Sequence, residues 1–193
     1  MKSHLSPTNT FAAVAAAAVL SACAGTMDNM PTAIPMFSQA MLPAAVQVPT
    51  GHRVAMETVG VGQITYECRQ TADRANVAEQ FEWVLAGPEA TLQDRKGGAV
   101  GRYFGPPATW ALNDGSALTG TQVAVAPAAA GSIPYQLVKA NLATGSGALV
   151  GVTHIQRVDT KGGVAPVMPC GMAEKGKREV VKYQADYIFW KAA

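Results

Sequence analysis

Charge is scarce in this chain. Only 15% of its 193 residues are Asp, Glu, Lys or Arg, and the formal net charge is +2. A groove for nucleic acid or a face for an anionic surface needs a stronger basic bias, so a nucleic-acid partner is not implied. Cysteine is scarcer: Cys23, Cys68 and Cys170. There is no CxxC and no HExxH, and only His52 and His154 lie beyond the N-terminal leader described below, so no metal site is expected. No cofactor motif stands out either. A GxSxG nucleophile elbow is missing. No later segment is long and apolar enough to span a bilayer as a helix, and no 20–50-residue period repeats.

The N-terminus is where apolar residues concentrate. Lys2 precedes the run Phe11 to Leu20, "FAAVAAAAVL", and no acid appears before Asp28. A run of about ten apolar residues fits a signal-peptide core and is too short to cross a membrane. Leu20-Ser21-Ala22-Cys23 follows and resembles the bacterial lipobox, in which the cysteine is acylated and becomes the first residue of the mature chain. The alternatives are an ordinary secretory signal, or a buried alanine helix with an incidental cysteine. The lipobox reading expects a leader at 1–22, lipid on Cys23, and a membrane partner reached through that lipid. Ala24, a non-acidic residue after the cysteine, resembles outer-membrane sorting in proteobacterial lipoproteins. The expected location is the cell envelope, facing the periplasm.

Export changes how Cys68 and Cys170 are read. Outside the reducing cytosol, two thiols in one small domain usually pair. The alternative is two separate buried thiols. From Ala24 to Pro43 the chain has prolines at 31, 35 and 43 and no clear period. It is read as a tether over 23–43, with packing on the body or insertion into lipid as the alternative for its Met and Phe residues.

The remaining body, 44–193, suits one domain. Alternation with a period of two recurs along it. Ile64, Tyr66 and Cys68 share one face of "QITYECRQ". Phe81, Trp83 and Leu85 share one face of "QFEWVLAG". Val181, Tyr183, Ala185, Tyr187 and Phe189 share one face of the last run, with Lys182, Gln184, Asp186 and Ile188 opposite. Asn113-Asp114-Gly115, Gly97-Gly98 and Gly162-Gly163 supply turns. "TADRANVAEQ", Thr71 to Gln80, is the one helix candidate. The expected fold is all-β, a single antiparallel sandwich or closed barrel. A Cys68–Cys170 bridge would clip the loop before the last strand to the core and guard that strand's register.

Several stretches together resemble the DUF3455 family of bacterial and fungal proteins of unknown function: "QVPTGHRV", "GVGQITYEC", "FEWVLAGPEATLQD", "GRYFGPPATWALNDGS", "IPYQLVKA", "GVTHIQRVDTKGGVAPVMPC" and "VVKYQADYIFW". The resemblance covers about Leu42 to Trp190 and implies no activity. Some fungal relatives carry a dehydrogenase label. Here "GVGQ", Gly60 to Gln63, is not a GxGxxG between strand and helix. Where the family often has a histidine before "FGPP", this chain has Tyr103.

Candidate chemistry is thin. Arg157, whose planar fork suits a carboxylate or phosphate, is expected either in a structural pair with Asp186, Asp159 or Glu89, or in a cleft. Trp110, beside the Gly-Pro-Pro loop, is the candidate ligand-facing ring. Tyr103, Trp110, Asp114 and Arg157 form the candidate binding set for a small molecule, a glycan or an envelope protein. The leading expectation is a lipid-anchored binding or structural domain. The alternative is an envelope hydrolase, of glycoside or ester type, using Asp114, Glu89 or His154.

Overall fold

The computed structural model describes residues 37–71 and 81–193. The leader, Cys23, most of the tether and all but the first residue of the helix expected over Thr71 to Gln80 lie outside the described residues. The alternating stretches form strands: β1 (His52–Gln70), β2 (Phe81–Gln93), β3 (Ala99–Phe104), β4 (Thr109–Leu112), β5 (Ala117–Ala126), β6 (Tyr135–Ala140), β7 (Val152–Gly162) and β8 (Arg178–Ala192). Each pairs antiparallel with its successor, and β8 pairs back with β1, closing the sheet into a barrel in chain order. Of the two all-β arrangements open to the sequence, the barrel is the one formed.

Turn chemistry sets the hairpins. In the β2–β3 turn the N–H groups of Lys96 and Gly98 donate to Asp94 Oδ1 at 2.8 and 2.9 Å. Gly97 there takes φ +88°, which a side chain would oppose. Register shifts fall in β1 at Val54/Met56 and Thr65/Tyr66, and between β7 and β8 at Val158/Lys161. Such bulges bend long strands and so help a sheet close.

Two apolar clusters follow from the closure. The inner one fills the barrel, with Leu92, Tyr103, Trp110, Ile155, Tyr187 and Phe189 among its members. The outer one lies on the opposite face of the same strands and holds Leu137, Val158, Ile188 and Trp190 under Val46 and Val48. The end of β8 is therefore buried on both faces. Ile188, placed by alternation opposite the aromatic face, is fully buried because residues 37–48 cover it. Phe37, within the stretch read as tether, meets Trp190 edge-on at 6.4 Å. Buried Gln156 holds this cover in place. It donates from Nε2 to Val46 O at 2.6 Å and to Gln39 Oε1 at 3.0 Å, and its Oε1 accepts from Trp190 Nε1 at 2.9 Å.

Cys68 and Cys170 are joined by a disulfide. Trp83 supports the same loop, donating from Nε1 to Met168 O at 2.9 Å. Leu85 departs from its expected burial, being 55% exposed. It is opposite Tyr66 in the register and so shares the inward face. Its neighbour strand β3 stops at Phe104, however, and leaves it at an open rim.

Candidate functional site

The open rim lies where the barrel wall is lowest. Strands β3 and β4 are 6 and 4 residues long, between a 13-residue β2 and a 10-residue β5. The short hairpin lowers one side of the barrel wall. A cavity of about 300 Å³ opens there. Leu85 to Pro88 of β2 form one side, Gly105, Pro106 and Ala108 of the β3–β4 turn another, and Gly120, Gln122, Gln136, Val138 and Arg157 the third, with Tyr103 also lining it. Glycine is required at the closest approach of two of these walls. A Cβ on Gly87 would collide with the carbonyl oxygen of Gly105.

Arg157 is the one charged residue lining the cavity among the described residues. Its strand partners are Gln136 and Tyr187, so alternation turns it to the barrel interior. Nε and Nη2 donate to the carbonyl oxygen of Pro134 at 3.3 and 3.0 Å. The acids considered as its partners are engaged elsewhere or lie apart. Asp186 pairs with Arg95 at 2.6 Å, and Asp159 with Lys161 at 3.4 Å. Glu89 lines a separate groove with Arg102 and Phe104, over the β1–β2–β3 face. Among the described residues Arg157 has no ion pair.

Four phenols sense this cation. Burial raises the pKa of Tyr66, Tyr103, Tyr183 and Tyr187, and the charge of Arg157 opposes the rise in each. They are neutral hydroxyls at any ordinary pH. Tyr103 stacks at 4.8 Å on Trp110 and at 4.9 Å on Tyr187. Tyr183 and Tyr187 share a hydroxyl contact of 3.3 Å.

The structure thus brings Tyr103 and Arg157 to one cavity. Trp110 is 1% exposed and sits in the core behind Tyr103, not among the cavity-lining residues. Asp114 lies in the β4–β5 turn, where its chemistry is local. The backbone N–H and hydroxyl of Ser116 donate to its Oδ1 at 2.9 and 2.6 Å, and Ala148 N–H donates to Oδ2 at 2.7 Å. These bonds, Ala148 first, hold its pKa below the usual carboxylate range. His154 stands edge-on to His52, ring centroids 4.8 Å apart, in a groove shared with Lys139 and Leu142. Burial first, then His52 and Lys139, lower the His154 pKa. Among the described residues no three His, Cys, Asp or Glu groups cluster as a metal site would need.

Gln122 and Gln136 are lining residues that the sequence reading misses. Gln136 Nε2 donates to Gln122 Oε1 at 2.6 Å, and both side chains line the cavity. A signal existed for Gln136, which shares alternation parity with Val138 in "YQLVKA". Nothing comparable marks Gln122, because a register shift follows it in β5.

With the geometry in place, comparison with known proteins adds one finding. The model of a family of proteins of unknown function, DUF3455, matches residues 49–191. No curated protein and no solved structure matches the chain.

Proposed function

We propose, for a chain that belongs to the DUF3455 family, that the barrel is a binding module which takes a small molecule into its mouth. The observation that carries this reading is the cavity itself. Its walls are mostly apolar, with Leu85, Pro88, Pro106, Ala108 and Val138, and its polar groups are few and convergent. That composition is typical of sites that hold a small ligand. We further propose that the protein is exported and held in the cell envelope by lipid on Cys23. The lipobox-like sequence supports this, and so does the Cys68–Cys170 bridge, since disulfides persist in oxidising compartments.

The test is a thermal-shift screen of the full chain against a mixed panel of small acids, amides, sugars and alcohols. A binder at 100 times its Kd should stabilise the fold by about 2.7 kcal/mol. Ala108→Phe, which fills the mouth, should abolish the effect. No stabilisation by any compound, or stabilisation that survives Ala108→Phe, would overturn the binding reading. Radiolabelled palmitate appearing on the native chain and not on Cys23→Ser tests the anchor separately.

A further inference from the structure

We infer that the molecule this cavity takes is a small monocarboxylate with an apolar body, its carboxylate held by the outer edge of the Arg157 guanidinium. The inference rests on the binding reading above and names the ligand class for the same site.

The guanidinium has two edges that can offer a pair of parallel N–H donors. Pro134 O occupies the Nε/Nη2 edge, at 3.3 and 3.0 Å. One carbonyl held by two donors fixes the plane of the group without neutralising it. The Nη1/Nη2 edge keeps its donors. A planar pair of N–H groups matches the two oxygens of a carboxylate, and charge assistance makes such a bond roughly twice as strong as a neutral one. The surroundings are in keeping with this. Among the described residues no acid lines the cavity to compete, and the four neighbouring phenols stay protonated. Gln122 Oε1 accepts from Gln136, and the Gln122 N–H groups make no hydrogen bond among the described residues.

Size and charge narrow the class. One cation, with no second basic group among the described lining residues, balances a monoanion better than a phosphate dianion. A cavity of about 300 Å³ is at the lower end of ligand sites. Its lining is mostly aliphatic, which favours a short hydrocarbon over a polar body such as a sugar acid's hydroxyl ring.

The experiment compares acids with their own primary amides on the full chain. The probes are hexanoate, octanoate and 3-phenylpropionate, each against hexanamide, octanamide and 3-phenylpropionamide, with inorganic phosphate as a further arm. Binding is read by calorimetry. Each acid that binds should do so at least tenfold more tightly than its amide. Arg157→Gln should erase that ratio, and Arg157→Lys, which keeps charge but not the planar pair, should shrink it. If Arg157→Gln fails to fold, the native ratio and Arg157→Lys still decide. Equal affinity for acid and amide, phosphate binding as tightly as the acids, or a ratio that survives Arg157→Gln would overturn the inference and leave the binding reading standing. Failure of these probes while neutral compounds of the wider screen bind overturns it as well. If nothing binds at all, both readings fall together.

Discussion

Arg157 spends two of its five N–H donors on the carbonyl oxygen of Pro134 and none on a described carboxylate. A cation lining a barrel normally has a partner of opposite charge, because an unpaired charge away from water is costly. Here the acids that sequence offered as partners are taken by Arg95 and Lys161 or face a different groove. The arrangement leaves a positive group in a partly enclosed, mostly apolar cavity.

Removing the disulfide should weaken the fold substantially. The bridge joins residues 102 positions apart, and a closed loop of that size contributes up to about 4.7 kcal/mol in the chain-entropy description. The double variant Cys68→Ser/Cys170→Ser is expected to shift the urea midpoint strongly downward, with the slope rising if the unfolded chain expands. An unchanged midpoint would remove the bridge from the stability argument.

Gln156 joins the covering segment, residues 37–48, to the barrel, so its loss should be felt on both sides. Gln156→Leu keeps the volume but orphans Val46 O and the Trp190 indole N–H. Each buried group left unpaired costs about 1–3 kcal/mol. Hydrogen exchange should then show residues 37–48 opening before the barrel. Exchange that stays uniform would argue against the clip.

Gly62 faces the barrel interior opposite Ala90. A Cβ there would run into Glu89 O and lie 2.5 Å from Ala90 Cα. At Gly60 a Cβ would lie 2.6 Å from the Tyr187 ring. Gly62→Ala should therefore destabilise by about 1–3 kcal/mol, the range of an overpacked core. It should also cost more than Gly60→Ala, whose clash is with the Tyr187 ring and not with backbone. The reverse order, measured by chemical denaturation, would contradict this packing.

His154 should titrate below the ordinary histidine value of about 6.5. Burial is the larger cause, and the positive charges of His52 and Lys139 add to it. A depressed folded pKa means that the folded state favours the neutral ring. The contribution to stability is present above the unfolded value near 6.5 and fades as pH falls through the lower, folded one. His52→Phe should raise the His154 value part of the way back, as read from its ring proton shifts. A value at or above 6.5 in the native chain would contradict the geometry.

Much of the fold was legible in the sequence, for physical reasons. Alternation exposes strand faces, so the shared side of Tyr183, Ala185, Tyr187 and Phe189 was readable, as was the turn at Asn113-Asp114-Gly115. The cysteine pairing followed from the expected compartment. Alternation could not reveal the second layer, because an outward residue such as Ile188 is buried by chain more than a hundred positions away. Closure was also hidden, since nothing local says that β8 returns to β1. For the site, Arg157 and Tyr103 could be named as chemistry-bearing residues, but Trp110 and Asp114 had equal standing. What separates them is strand length: the short β3–β4 hairpin opens the wall above Tyr103 and leaves Trp110 covered. The Arg157–Pro134 contact crosses 23 positions and depends on the β6–β7 register, which no motif encodes.

The most direct measurement is nuclear magnetic resonance of the full chain, with the arginine guanidinium and tyrosine ring signals assigned, during titration with 3-phenylpropionate. The largest shifts should fall on the Arg157 Nη groups and the Tyr103 ring, while Arg102 and the His52–His154 pair stay still. Movement centred on Arg102 or on those histidines, with Arg157 unchanged, would place the ligand outside the barrel mouth and contradict the central claim.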